Sequence, residues 1–460
     1  MVYTMIRNWL IVVMLLIVSV VGVAQEHKIS GTIAGFENAD LYLMQLMGEK
    51  RSIVDTTQTD LLGAFTFVIP ENRKSGMYLI INGPGKAVEL IYNNEDIQFV
   101  ASEEESAGIQ IISSVENLIY YDYLSIKGSN MYKLDVLKAL LNNYPPNDEF
   151  YLEALKQYQL LQNQIDTRVD ELISNNPLTL ASRYLKADRP TFVDPTISDN
   201  EQNLYLKQHY FDKVDFSDTM LIRSTFLTSK VVSYLSLFQM NVTSQTELED
   251  NMLIGVDTVL YYAEADQQVY EFLIDFLIHG FESIGFEKGL EHIANASTLD
   301  QFCENTERKL KLENKLELIK KLAIGQPAPG FTSSDIAGTK IVLSEIEAKE
   351  TILVFWASWC PHCEEVMPVL NSYYDGGINY EVIAISIDES EDDLMKSLEE
   401  TDFSWINIAE LDGWNGAIVE EYGIVATPSI FVLDKNKTII GKPVGKRELE
   451  KFLSRDTNKH

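Results

Sequence analysis

Trp356-Ala357-Ser358-Trp359-Cys360-Pro361-His362-Cys363 carries two cysteines separated by two residues, and Val425-Ala426-Thr427-Pro428 follows downstream. Such a pair can close a small disulfide, open it, and pass its oxidation state to another protein. The flanking pattern alternates element types. Thr351 to Trp356 reads as a buried strand, Cys360 to Tyr374 as a helix, Tyr380 to Asp388 as a second strand and Glu391 to Glu400 as a helix. Ser429 to Leu433 reads as a third strand, Thr438 to Ile440 as a fourth, and Arg447 to Leu453 as a closing helix. Strands alternating with helices predict an α/β domain whose sheet is covered on both faces.

Upstream, Gly325-Gln326-Pro327-Ala328-Pro329-Gly330-Phe331 concentrates prolines and glycines behind a lysine-rich helix end and marks a boundary near residue 323. From about Val115 to Leu322 the apolar period is helical. Leu152, Leu155, Tyr158, Leu161 and Ile165 recur at three- and four-residue steps, as do Val269, Phe272, Leu273, Phe276 and Leu277. Pro145-Pro146 and the Asp188–Pro195 stretch break this region into groups of helices. From Lys28 to about Ile112, short runs such as Ala64-Phe65-Thr66-Phe67-Val68 are punctuated by Gly31, Gly35, Gly63, Gly76, Gly83 and Gly85. That spacing predicts a small antiparallel β domain. The expected architecture is therefore multidomain α/β: residues 25–112 antiparallel β, 113–322 α-helical, and 323–460 α/β.

The chain has 460 residues, enough for about three domains. Its 37 basic and 69 acidic residues give a net charge of -32, which would repel a phosphate backbone and excludes nucleic acid as a natural partner. Arg7, the apolar run Trp9 to Val21, and Gly22-Val23-Ala24 have the form of a secretory signal, with removal expected after Ala24. Trp9 to Ala24 is 16 residues, short of the roughly 20 needed to span a membrane, so an uncleaved anchor is the weaker reading. A cell-envelope or periplasmic location follows as an expectation. In an oxidising compartment cysteines usually pair, yet only Cys303, Cys360 and Cys363 are present. A disulfide-stapled scaffold is excluded, and Cys303 reads as a small buried helix residue. His209, His279 and His292 read as core or surface histidines. Tyr120-Tyr121-Asp122-Tyr123 and Tyr261-Tyr262 read as core or interface, and Glu103-Glu104-Glu105 as a solvated turn. No metal or cofactor is expected.

The segment 325–455 resembles the thioredoxin superfamily in its exported TlpA/ResA-like branch. The resemblance rests on Ala328-Pro329-Gly330-Phe331, on Phe355-Trp356 through Cys363, on Pro368 within the helix, and on Thr427-Pro428-Ser429-Ile430-Phe431-Val432-Leu433-Asp434, in the right order and spacing. It implies a thiol-disulfide oxidoreductase acting on exported protein thiols, commonly as a reductant that includes apocytochrome c among its substrates, with a membrane redox partner. It also implies that Thr427-Pro428 forms the family's cis-proline loop, which faces the cysteines and offers Thr427 backbone groups to an extended substrate segment. The residues agree. With Cys360 at a helix start and Cys363 three residues on, the sulfurs share one face, and the positive end of the helix dipole lowers the first thiol's pKa. Cys360 is then the nucleophile and Cys363 the resolving thiol, with Trp359, Pro361 and His362 as tuning neighbours.

Three rivals are weaker. Zinc needs four ligands and no second cysteine pair exists. A disulfide across two residues closes too short a loop to stabilise much. Peroxiredoxins resemble this chain at Ala328-Pro329-Gly330-Phe331, but they place Thr three residues and Pro seven residues before the reactive Cys, where this chain has Ala357 and Leu353. Thioredoxin's buried acid is replaced by Val354, and the Glu usual in the ResA-like branch by Val366, with Glu364 and Glu365 out of register. Pro361-His362 resembles the dipeptide of the oxidase DsbA. A His beside the sulfur stabilises the thiolate, which outweighs Glu364 and Glu365 and predicts a potential more oxidising than the roughly -270 mV of thioredoxin.

The N-terminal strands resemble the DUF4369-like domain that precedes thioredoxin modules in exported Bacteroidetes proteins, and Gln208 to Phe216 resembles part of the DUF5106-like helical region. Neither brings a catalytic residue. A second function class follows from these two thirds of the chain: a cell-envelope binding or assembly protein whose redox module serves one docked partner.

Overall fold

The computed structural model describes residues 26–82, 87–102, 108–296, 307–374, 380–401 and 403–455. The expected leader at 1–24, Gly83, Gly85, Glu103 to Glu105 and Cys303 lie outside the described residues. The chain divides into two compact units, Met1–Leu237 and Phe238–His460, so the helical region contributes to both.

The first unit opens with eight strands: β1 (His27–Ala34), β2 (Asp40–Met47), β3 (Lys50–Gln58), β4 (Ala64–Ile69), β5 (Gly76–Ile81), β6 (Ala87–Tyr92), β7 (Ile97–Ser102) and β8 (Ile109–Ser113). They form two four-stranded sheets, ordered β4-β1-β7-β8 and β3-β2-β5-β6. Pairing is antiparallel except between β1 and β7. Strict alternation buries Phe65, Phe67 and Ile69 of β4 and Ile97, Phe99 and Ala101 of β7 against Leu41, Leu43, Tyr78, Leu90 and Tyr92.

Five α-helices follow among the described residues of this unit: α1 (Val115–Asn143), α2 (Glu149–Asn175), α3 (Leu180–Asp188), α4 (Asp199–His209) and α5 (Phe226–Ser236). α1 ends just before Pro145-Pro146 and α3 just before the Pro190 break, as the sequence predicts. Buried polar groups fasten α1. Asn117 exchanges two 2.8 Å hydrogen bonds with the Ile91 backbone of β6. The buried Glu116 carboxylate accepts from the Leu180 and Ala181 N–H groups at 3.0 and 2.6 Å, capping α3 from outside. Tyr120 and Tyr123 are fully enclosed, in line with their reading as core. His209 pairs with Asp212 at 2.9 Å.

The second unit begins with α6 (Gln245–Ala263), α7 (Gln267–Ile284), α8 (Glu287–Ala296) and α9 (Glu307–Lys321). Of the two readings of Tyr261, core or interface, the first does not hold: it is 72% exposed, because α6 buries Val256, Val259, Leu260 and Ala263 and turns Tyr261 to solvent. His292 pairs with Asp257 at 2.5 Å, and His279 lies near Asp275 and Glu282. Among the described residues no group of three or more His, Cys, Asp or Glu is arranged to hold a metal. No described helix is long and apolar enough to cross a membrane.

The α/β part follows: β9 (Thr332–Ser334), β10 (Lys340–Val342), β11 (Glu350–Trp356), α10 (Pro361–Tyr373), β12 (Tyr380–Ser386), α11 (Glu391–Thr401), β13 (Ile406–Ala409), α12 (Ala417–Glu421), β14 (Ser429–Asp434), β15 (Ile439–Gly441) and α13 (Gly445–Leu453). Its five-stranded sheet is ordered β13-β12-β11-β14-β15. β11 is the central strand, parallel to β12 and antiparallel to β14. Every residue of β11 is buried, which accounts for the apolar run Ile352 to Trp356. Helix α8 is tied to this part by Glu287, whose carboxylate receives Lys442 Nζ at 2.7 Å, and α9 by Lys321 to Glu421 at 2.6 Å.

Candidate active site

The central strand delivers the cysteine pair. β11 ends at Trp356, a short loop follows, and Pro361 starts α10 with Cys360 as its N-cap. Proline suits that first helical position because its missing N–H would have no intrahelical partner and its φ is already helical. The N-cap is extended, at φ -92 and ψ 110, so the Cys360 sulfur sits outside the helix at its positive end. Cys363 lies on the first turn. Both cysteines are free thiols, Cys360 4% and Cys363 2% exposed.

The loop before β14 faces them. The Thr427–Pro428 peptide is cis, and the Cys360 thiol donates to the Thr427 carbonyl at 3.3 Å. The two thiols differ in acidity. Burial raises the Cys360 pKa, but hydrogen bonds from Cys363, from the Thr427 side chain and from the Cys363 and His362 N–H groups outweigh it, and the thiol is held below its ordinary value. Burial dominates at Cys363, reinforced by its hydrogen bond to Cys360, and pushes it up to about 12 despite an opposing hydrogen bond from the Ala357 N–H. The first thiol is thus the more readily ionised of the two, and its neighbour the more reluctant to lose its proton.

His362 is exposed, and the group it offers the sulfur is its main-chain N–H. Trp359 is 59% exposed and meets Trp414 edge-on at a centroid distance of 6.5 Å. A cleft of about 520 Å³ runs from the pair towards α11, with Trp356, Cys360, Cys363 and Met367 in its lining and Glu364, Asp393 and Glu400 on the same wall set. Val354 and Val366 are buried and apolar, as expected of positions that lack the usual acids. Leu353 and Ala357 are likewise buried, so Ala357 provides no hydroxyl where a peroxiredoxin has one. Sequence reading missed Trp414, Ser358 and Asp388. The last two meet only because β11 and β12 end side by side, a fact of register with no local signal.

Residues 324–442 match the AhpC/TSA family, 190–277 the domain of unknown function DUF5106, and 27–134 the domain of unknown function DUF4369. The thiol-disulfide oxidoreductase ResA of Bacillus thuringiensis subsp. konkukian is 33% identical over 144 residues, covering 30% of this chain and 80% of that protein. The chain belongs to the ResA-like thiol-disulfide oxidoreductases. The thioredoxin-like protein YneN of Bacillus subtilis is 28% identical over 139 residues, covering 29% of this chain and 79% of its own length. A thioredoxin-like protein from Bacteroides caccae is similar in structure, at a TM-score of 0.43 and 22% identity, covering 57% of this chain and 96% of that one. The ResA-like chain is accordingly an enzyme that exchanges thiols and disulfides.

Proposed function

We propose that this oxidoreductase works through Cys360 as nucleophile and Cys363 as resolving thiol. The observation that carries the reading is the asymmetry of the pair: Cys360 at the helix start, lowered in pKa by convergent hydrogen bonds, beside a buried Cys363 raised to about 12. In the reducing direction the Cys360 thiolate attacks a substrate disulfide, and one substrate sulfur leaves as a thiolate. Cys363 then gives up its proton to water and attacks Cys360 Sγ, releasing the second substrate thiolate and leaving the Cys360–Cys363 disulfide. Two electrons pass from the pair to the substrate. The reverse sequence oxidises a dithiol.

Thr427 and Pro428 border the sulfur and are the proposed resting place of an extended substrate strand, with the Thr427 carbonyl, now receiving the Cys360 thiol, available to its main chain. Trp359, Pro361 and His362 tune the pair. The substrates are exported protein thiols and disulfides, and the enzyme works in the cell envelope after residues 1–24 are removed, renewed by a membrane redox partner. The sequence segments 25–112 and 113–322 carry the redox module at 323–460 and select its partners.

Replacing Cys363 by Ala in the full chain tests this. Mixed disulfides with envelope proteins should accumulate on Cys360 and disappear on reduction. If none is captured from an envelope extract, or if capture persists when Cys360 is also replaced, the assignment fails.

A further inference from the structure

β11 and β12 run parallel with Trp356 opposite Ser386, so the residues just past their C-terminal ends lie side by side. Asp388 is 1% exposed there, and its carboxylate is filled from the active-site loop and its own strand end. Oδ1 accepts from the Ser358 hydroxyl at 2.6 Å; Oδ2 accepts from the Ser358 N–H at 3.0 Å and from the Ser386 hydroxyl at 2.6 Å. The ring closes through the Asp388 N–H, which donates to the Ser386 hydroxyl at 2.9 Å. One residue earlier, the Ile387 N–H donates to the Trp356 carbonyl at 2.9 Å. Ala357 is therefore gripped on both sides.

Its peptide groups meet both cysteines. The Ala357 carbonyl accepts from the Cys360 N–H at 3.2 Å, the Cys363 N–H donates in turn to the Cys360 carbonyl at 3.0 Å, and the Ala357 main chain opposes the rise in the Cys363 pKa. We propose that Asp388 is a positioning residue for the second half of the exchange, holding Ala357 through Ser358 so that the Ala357 N–H faces the Cys363 sulfur as that sulfur becomes an anion. The proposal rests on the reading of Cys363 as the resolving thiol.

The step concerned begins when Cys363 loses its proton to water. Its thiolate attacks Cys360 Sγ in the mixed disulfide, the Cys360–substrate bond breaks as the Cys360–Cys363 bond forms, and the substrate thiolate takes a proton from water. The cysteine pair is oxidised and the substrate disulfide reduced. A thiolate forming in a buried place needs a donor aimed at it in advance. The buried Val354 and Val366 offer no carboxylate to accept that proton, so it passes to water, and the thiolate left behind depends on fixed donors such as the Ala357 N–H. A carboxylate suits the clamp because it accepts from all three donors; an Asn would turn an NH₂ group towards one of them.

The experiment uses the full chain in a Cys303→Ser background, reduced and mixed with equimolar dithiobis(nitrobenzoate). Attack by Cys360 releases a first thionitrobenzoate at a rate that depends on reagent concentration. Resolution by Cys363 releases a second at a rate that does not. Asp388→Asn should slow the second release by about tenfold and move its pH midpoint upward, as expected for one weakened hydrogen bond to an anion, while slowing the first far less. Ser358→Ala, which keeps the main-chain donor and loses the hydroxyl, should fall between, and it decides the matter if Asp388→Asn does not fold. Parental rates for the second release, or equal slowing of both releases, would overturn the role of Asp388. A second release that survives in Cys363→Ala would instead remove the resolving-thiol reading itself.

Discussion

Cys360 and Cys363 occupy neighbouring positions yet titrate in opposite directions, and that difference has consequences at high and at low pH. Cys360 should be alkylated first by iodoacetamide in the reduced protein, with a midpoint below the ordinary thiol value near 9. Mass mapping of the labelled peptides checks this, and equal labelling of both would contradict it. Cys363 is raised, so the folded state prefers its neutral form. Its contribution to stability is intact below the unfolded pKa near 9 and is lost as pH rises towards 12. Melting curves of the reduced protein should accordingly fall away from those of Cys363→Ser above pH 9; parallel curves would show that burial does not hold this proton. Cys360 has the opposite sign: its contribution is present at high pH and is lost as pH falls through its lowered pKa.

Elements that repeat a period over many residues were legible in the sequence, and elements defined by pairing were not. The long helices and the strand β11 follow from apolar spacing, and the cysteine motif placed the start of α10 to within a residue. β9, β10 and β13 are three or four residues long and acquire strand character only from the neighbours they pair with, so no alternation announces them. The clamp of Asp388 on Ser358 belongs to the same class, as does Glu116. That carboxylate looks like an ordinary charge near a helix start, but it caps a second helix sixty-odd residues away, at Leu180 and Ala181. Replacing Glu116 by Ala strands two buried N–H groups and should cost about 2–4 kcal/mol. Denaturant unfolding measures the loss, and Cys360 alkylation in the folded variant should be unchanged, since the residue lies in the other compact unit. A loss within about 0.5 kcal/mol would mean that water replaces the carboxylate.

Across the whole molecule, the proposed redox pair sits at the end of one strand and the start of one helix, while most of the described residues belong to a β sandwich and helices. The division between the two compact units at Leu237 and Phe238 falls inside the helical region, whose uniform periodicity hides it. The most direct test of the central claim is redox equilibration of the full chain, in a Cys303→Ser background, with glutathione buffers, followed by tryptophan fluorescence from Trp356 and Trp359. The account predicts one two-electron transition, abolished by either Cys360→Ala or Cys363→Ala, with a midpoint more positive than the roughly -270 mV of thioredoxin. A transition that survives loss of either cysteine would contradict the assignment of the pair, and a midpoint at or below that of thioredoxin would contradict the tuning assigned to Pro361-His362.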